Sequence, residues 1–147
     1  MSRNSDGTFT IRLGTDERDM LRTLLPQLRD LITERDSAAW RLFPNAYQDD
    51  KEMAAEYEEM VGDQLRDGRL TSIEIVERTL DASELDADQL NAWMGAVNDL
   101  RLVLGTRLDV TEDSEMSDYN TNTAQTLFSA YAYLGYVLES IITAITE

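Results

Sequence analysis

The side chains able to do chemistry in this 147-residue chain are carboxylates, tyrosines and arginines, because it has no histidine and no cysteine. The usual general base, the commonest metal ligand and the thiolate nucleophile are all missing. The most regular carboxylate set is Glu52, Glu56, Glu59 and Asp63, whose spacing places all four on one face of a helix. Helical di-metal sites use such carboxylates but add histidines, whereas oxygens alone would suit Mg²⁺ or Ca²⁺. A solvated acidic face explains the same spacing without an ion, and no metal is expected. The stretch Asp109-Val110-Thr111-Glu112-Asp113-Ser114 begins like a calcium loop. It lacks the glycine at the sixth place and has Asn120 where a bidentate glutamate belongs. Tyr131, Tyr133 and Tyr136 could in principle exchange protons with Glu139. Their spacing matches no reaction, and tyrosines commonly line the edge of a core. No glycine-rich phosphate loop, nucleophile elbow or dinucleotide fingerprint is present. These residues point away from an enzyme and from any cofactor.

The arginines carry more information. The chain holds 29 acidic residues against 13 basic ones, a net charge of −16, so a polyanion is repelled unless the arginines are segregated. Arg3, Arg12, Arg18, Arg22, Arg29, Arg35 and Arg41 balance the acids of residues 1–41, and the whole net charge falls on residues 42–147. On a helix turning ~100° per residue, Arg18, Arg22 and Arg29 fall within a ~40° sector beside an apolar stripe. They form a basic edge and are the candidate contacts to DNA or to a protein partner, with Arg41 joining if its segment folds back. Helix-surface ion pairs are the plainer reading of the same edge. Arg101 falls within the apolar face of its helix, so a partly buried ion pair is expected there.

The elements that must position these residues are mostly helical. Two prolines and seven glycines give few turn signals, and the expected fold is mainly α, a bundle of four to five helices with a short N-terminal strand. The strand is Thr8 to Leu13, which alternates polar and apolar between Gly7 and Gly14. A first helix follows Thr15, with Leu21, Leu24, Leu28 and Leu31 at helical spacing and Pro26 predicting a kink or a break. The aromatic-rich stretch 37–50 reads as an ordered connection. A second helix is expected from about Asp50 to Asp67, ending at Gly68. The capping-box pattern Thr71-Ser72-Ile73-Glu74 would open a short third helix, and Asp86-Ala87-Asp88-Gln89 a fourth. The last helix, about Thr121 to Thr146, shows an alternating three- and four-residue apolar spacing from Ala124 to Ile145. Its wide apolar face predicts the central position in the bundle. Trp93, Leu100, Leu104, Leu127, Leu134, Leu138 and Ile141 are expected to be buried. Part of that face could instead meet a second copy in a homodimer.

The same segment is long enough to span a membrane, but it carries Gln125, two serines, three tyrosines and no flanking basic residue. A helix of a water-soluble bundle is expected, with no membrane association. The polar start lacks a secretory pattern, so a cytoplasmic protein is expected. Residues 1–147 read as a single helical domain.

Two segments resemble a known family: Ala39-Trp40-Arg41-Leu42-Phe43-Pro44 with Ala46-Tyr47, and Asn98-Asp99-Leu100-Arg101-Leu102-Val103-Leu104-Gly105-Thr106-Arg107-Leu108. The resemblance is to an actinobacterial family of unknown function encoded beside the ClpS-type protease adaptor, which includes the AosR-type oxidative-stress transcriptional regulator. It covers nearly the whole chain, and Leu-Gly-Thr-Arg-Leu is its most specific part. It implies a cytoplasmic, mainly helical regulator that acts on transcription with other proteins. Redox-responsive members would use a pair of N-terminal cysteines; this chain has none, so a thiol–disulfide switch is impossible. Two functions remain in view: a transcription-associated regulator with protein and weak DNA contacts, and an interaction adaptor with no DNA binding, linked to Clp proteolysis.

Overall fold

A computed structural model describes residues 1–34, 51–110, 114–115 and 119–146; of residues 51–63 it describes the backbone alone. The fold is mainly α. Among the described residues four helices, α1 (Thr15–Glu34), α2 (Lys51–Arg78), α3 (Ala87–Leu108) and α4 (Asn122–Thr146), make up well over half the chain. They are joined by a small sheet of three two-residue strands, β1 (Ser2–Arg3), β2 (Phe9–Thr10) and β3 (Glu84–Leu85).

The single strand expected at residues 8–13 is therefore shorter and has two partners. β2 is the middle strand, antiparallel to both neighbours, with Arg3 opposite Phe9 and Phe9 opposite Leu85. A turn at Gly7, with φ 87°, reverses the chain between β1 and β2. Asp6 Oδ1 holds that turn by accepting from both the amide and the hydroxyl of Thr8.

α1 runs through Pro26 without a second helix being formed. Its buried side chains, Leu21, Leu25, Leu28 and Ile32, repeat at four, three and four residues, one stripe facing the core. The expected break at Gly68 is absent: α2 continues for 28 residues to Arg78. Thr71 does not cap a new helix; its hydroxyl donates to the carbonyl of Asp67, and Ser72 does the same to Gly68. Glu74 likewise pairs with Arg78 one turn on instead of reaching back. Buried Ile73 and Val76 fix this stretch to the core, and that packing overrides a local start signal.

The second capping box is real. Gln89 N–H donates to Asp86 Oδ1 at 2.7 Å, and Asp86 N–H donates to Gln89 Oε1 at 3.0 Å, so α3 begins as its sequence reads. It ends at Asp109, a left-handed residue with φ 54°, where the Val110 amide returns to the Gly105 carbonyl. Thr121 opens α4 by accepting from the Ala124 amide.

The centre of the bundle is α3, not the last helix. It packs most extensively against α4 and α2 and also touches α1 and β3. Trp93, Leu100, Leu104, Leu134 and Ile141 are buried as expected, while Leu127 and Leu138 lie half-buried at the rim. α4 lies to one side of the core, and so its wide apolar face is only partly covered. Buried Trp93 donates its indole N–H to Thr79 Oγ1 at 2.7 Å, which satisfies the one polar atom it brings inside.

Candidate functional site

The basic edge exists, and it faces α2. Arg18, Arg22 and Arg29 lie along α1, and each reaches the end of α2 or the turn that follows. Arg18 donates Nε–H to the Leu13 carbonyl at 3.1 Å, and Nη1 to the carbonyls of Leu80 and Ala82. Those last two carbonyls lie in the turn that follows α2, near the negative end of its dipole, which favours a cation. Arg22 grips Asp81 with Nη2 at 3.0 Å from both carboxylate oxygens, and Asp19 with Nη1 at 2.9 Å. Arg29 pairs with Glu77 of α2. Three residues predicted to share a sector do share it, and together they form a seam that bonds α1 to α2. Arg41 lies outside the described residues.

A shallow cleft of about 360 Å³ opens at the far end of this seam, lined by Arg29, Thr33, Asp67, Leu70, Thr71 and Glu74. Arg29 and Glu74 within it are already paired with Glu77 and Arg78. What remains is a mixed polar surface with no converging acid–base pair.

The ion pair expected at Arg101 is found instead at its neighbour, Asp99. Asp99 is 2% exposed and meets Arg69 of α2, Nη1 to Oδ1, at 2.5 Å. Burial pushes its carboxyl above the usual carboxylate range, against the opposing charge of Arg69. Arg101 meets no carboxylate among the described residues. Its guanidinium carbon stands 4.6 Å from the Tyr131 ring centroid, a cation–π contact between α3 and α4. Its buried Nε has no hydrogen-bond partner among the described residues. Arg101 lies across Gly135, where a Cβ would stand 3.1 Å from Nε. Reciprocally, Tyr131 lies across Gly105, at 3.1 Å from the position of a Cβ. A small residue on each helix makes room for a large one on the other.

Among the described residues no three carboxylates converge as metal ligands. The side chains of Glu52, Glu56, Glu59 and Asp63 lie outside the described residues. Asp109 serves as the α3 C-cap, and most of the stretch after it, 111–113 and 116–118, lies outside the described residues. Of the tyrosines considered for proton transfer, Tyr131 is committed to Arg101. The Tyr133 phenol is pushed up by burial and by the charge of Glu17, with Tyr136 adding, which moves it away from acid–base work near neutral pH.

Sequence reading missed Asp99 as the ionic centre, and the seam partners Glu77 and Asp81. Asp99 carried a usable signal: it shares a helical face with Ala92, Ala96 and Val103, all buried, where a lone carboxylate requires a partner. Glu77 and Asp81 carried none, since their partners lie about fifty to sixty residues away. No curated protein and no solved structure matches the chain. A family model described as a domain of unknown function, DUF2017, matches residues 1–145. A small sheet, a central α3 and an arginine seam are thus features of a chain that belongs to the DUF2017 family.

Proposed function

We propose that this protein is a protein-contact module of a transcription-associated regulator, of the AosR type that its sequence resembles, working in the cytoplasm without a cysteine switch, a cofactor or catalysis. In this reading it does not grip DNA by the Arg18–Arg22–Arg29 edge. The observation that carries the reading is the internal engagement of those three arginines. A phosphate would have to displace Asp81 and Glu77, and for Arg18 the carbonyls beyond the end of α2. The net charge of −16 acts against DNA and suits a basic protein surface.

The adaptor reading, linked to Clp proteolysis, draws on the same observation, since it needs no DNA contact at all. The two separate on partner identity: a component of the transcription machinery for the regulator, a protease component for the adaptor. The test is a mobility-shift titration of promoter DNA at low and physiological salt, with the parent and with Arg22→Glu, each checked for helicity. Neither protein should shift the DNA at either salt. A salt-sensitive shift by the parent that Arg22→Glu abolishes would make DNA a direct ligand of this edge and overturn the reading.

A further inference from the structure

α4 turns Tyr136 out to solvent; at 69% it is the most exposed large apolar side chain among the described residues. Its ring centroid lies 6.3 Å from that of Tyr133, three residues earlier and tilted by 33°, so two rings form a step on one side of the helix. The negative charge of Glu17 in α1 acts on the Tyr133 phenol. Glu139 follows Tyr136 by three residues on the same flank of α4. Neither Glu17 nor Glu139 forms an ion pair among the described residues. The Met1 ammonium, bonded to Ser140 Oγ at 2.8 Å, bounds the step one turn further along.

An aromatic face carries negative potential, and the carboxylate of Glu139, one turn further along α4, adds to it. We propose that the Tyr133–Tyr136 step, with Glu139 one turn further along α4, docks an arginine- or lysine-bearing segment of another protein. This rests on the protein-contact reading above and names the chemistry of its partner. A guanidinium stacks flat on an exposed tyrosine while its N–H groups reach carboxylates beside the ring. Exposed tyrosines are also frequent anchors of protein interfaces. The net charge steers a basic segment toward the molecule from a distance. Two copies meeting α4 to α4 fit this site poorly: no basic residue follows Arg107, so neither α4 offers the other a cation.

The test must separate a local site from general attraction to an acidic protein, so it uses variants that leave the net charge unchanged. A fluorescent peptide of alternating arginine and serine is titrated with the full chain by anisotropy at physiological salt, beside its citrulline counterpart. Tyr136→Ala should weaken arginine-peptide binding about tenfold, and Tyr136→Phe should stay within about twofold because it keeps the ring. The citrulline peptide should bind no better than the Tyr136→Ala variant binds the arginine peptide. Equal binding by parent and Tyr136→Ala would overturn the site and leave the wider reading intact, since that reading is decided by the DNA titration. A doubling of mass in sedimentation that Tyr136→Ala abolishes would assign the face to a second copy and also overturn the proposal.

Discussion

At the scale of single residues, Asp99 is the most consequential polar group in the described core. It is buried against Arg69, and a buried pair is most costly when only one member is removed. Asp99→Ala should lower unfolding free energy by about 3 kcal/mol, and Arg69→Met/Asp99→Leu should recover much of that loss; urea denaturation midpoints would show both. The pH dependence has a definite sign. Burial raises the folded-state carboxyl above its ordinary value of 3.8, so in the window from about 3.8 up to that raised value the folded state binds more protons than the unfolded one. Stability from this group therefore falls as pH rises through the window and stays lower above it. The stability difference between parent and Asp99→Asn, measured across that range, should shrink as pH rises; a difference that grows would refute the assignment. Asp99 was recognisable in principle, because a carboxylate on a small-residue face demands a partner. Arg101 misled for the same reason, since an aromatic ring can satisfy a guanidinium in place of an acid.

At the scale of elements, the seam between α1 and α2 ranks its arginines. Arg18 binds backbone carbonyls at a helix end, whereas the Arg22 pair lies at the rim, its side chain 48% exposed beside an 81% exposed Asp81. Arg18→Met should cost about 2 kcal/mol and Arg22→Ala less than about 1 kcal/mol, compared by denaturant titration. The reverse order would mean that the surface carboxylates, not the helix end, hold α1 in place. Gly68 tests the length of α2. A Cβ there meets nothing within 4 Å and the backbone is not left-handed, so Gly68→Ala should stabilise by about 0.5–1 kcal/mol. A helix ending at Gly68 would instead be strained by alanine, and a fall in melting temperature would restore the shorter helix. The two capping patterns show why one boundary was legible and the other was not. Asp86 and Gln89 close a reciprocal pair of local bonds, complete within four residues. Thr71 and Glu74 stand at the same spacing, but packing of Ile73 and Val76 holds that segment inside a longer helix, and packing is not written locally.

At the scale of the whole molecule, a charge of −16 presses outward on every packed element. Added sodium chloride screens that repulsion more than it weakens the few exposed ion pairs, so the melting temperature should rise between about 0.05 and 0.5 M salt. A falling melting temperature would show that the arginine seam matters more than the net charge. The mainly helical class and the apolar stripe of α1 were legible because they repeat along the chain. Which helix sits in the middle was not: α4 has the widest apolar face, but α3 is the one that both long neighbours must share. The three-stranded sheet has a consequence in time as well as in space. Pairing Phe9 with Leu85 closes a loop of about 75 residues, whereas α3 and α4 are consecutive helices joined by a connection of 13 residues. The α3–α4 hairpin can therefore assemble early, and β1, β2 and α1 attach late and detach first. In native-state hydrogen exchange, amides of α3 should outlast those of α1, with strand β2 released together with α1 as one cooperative unit.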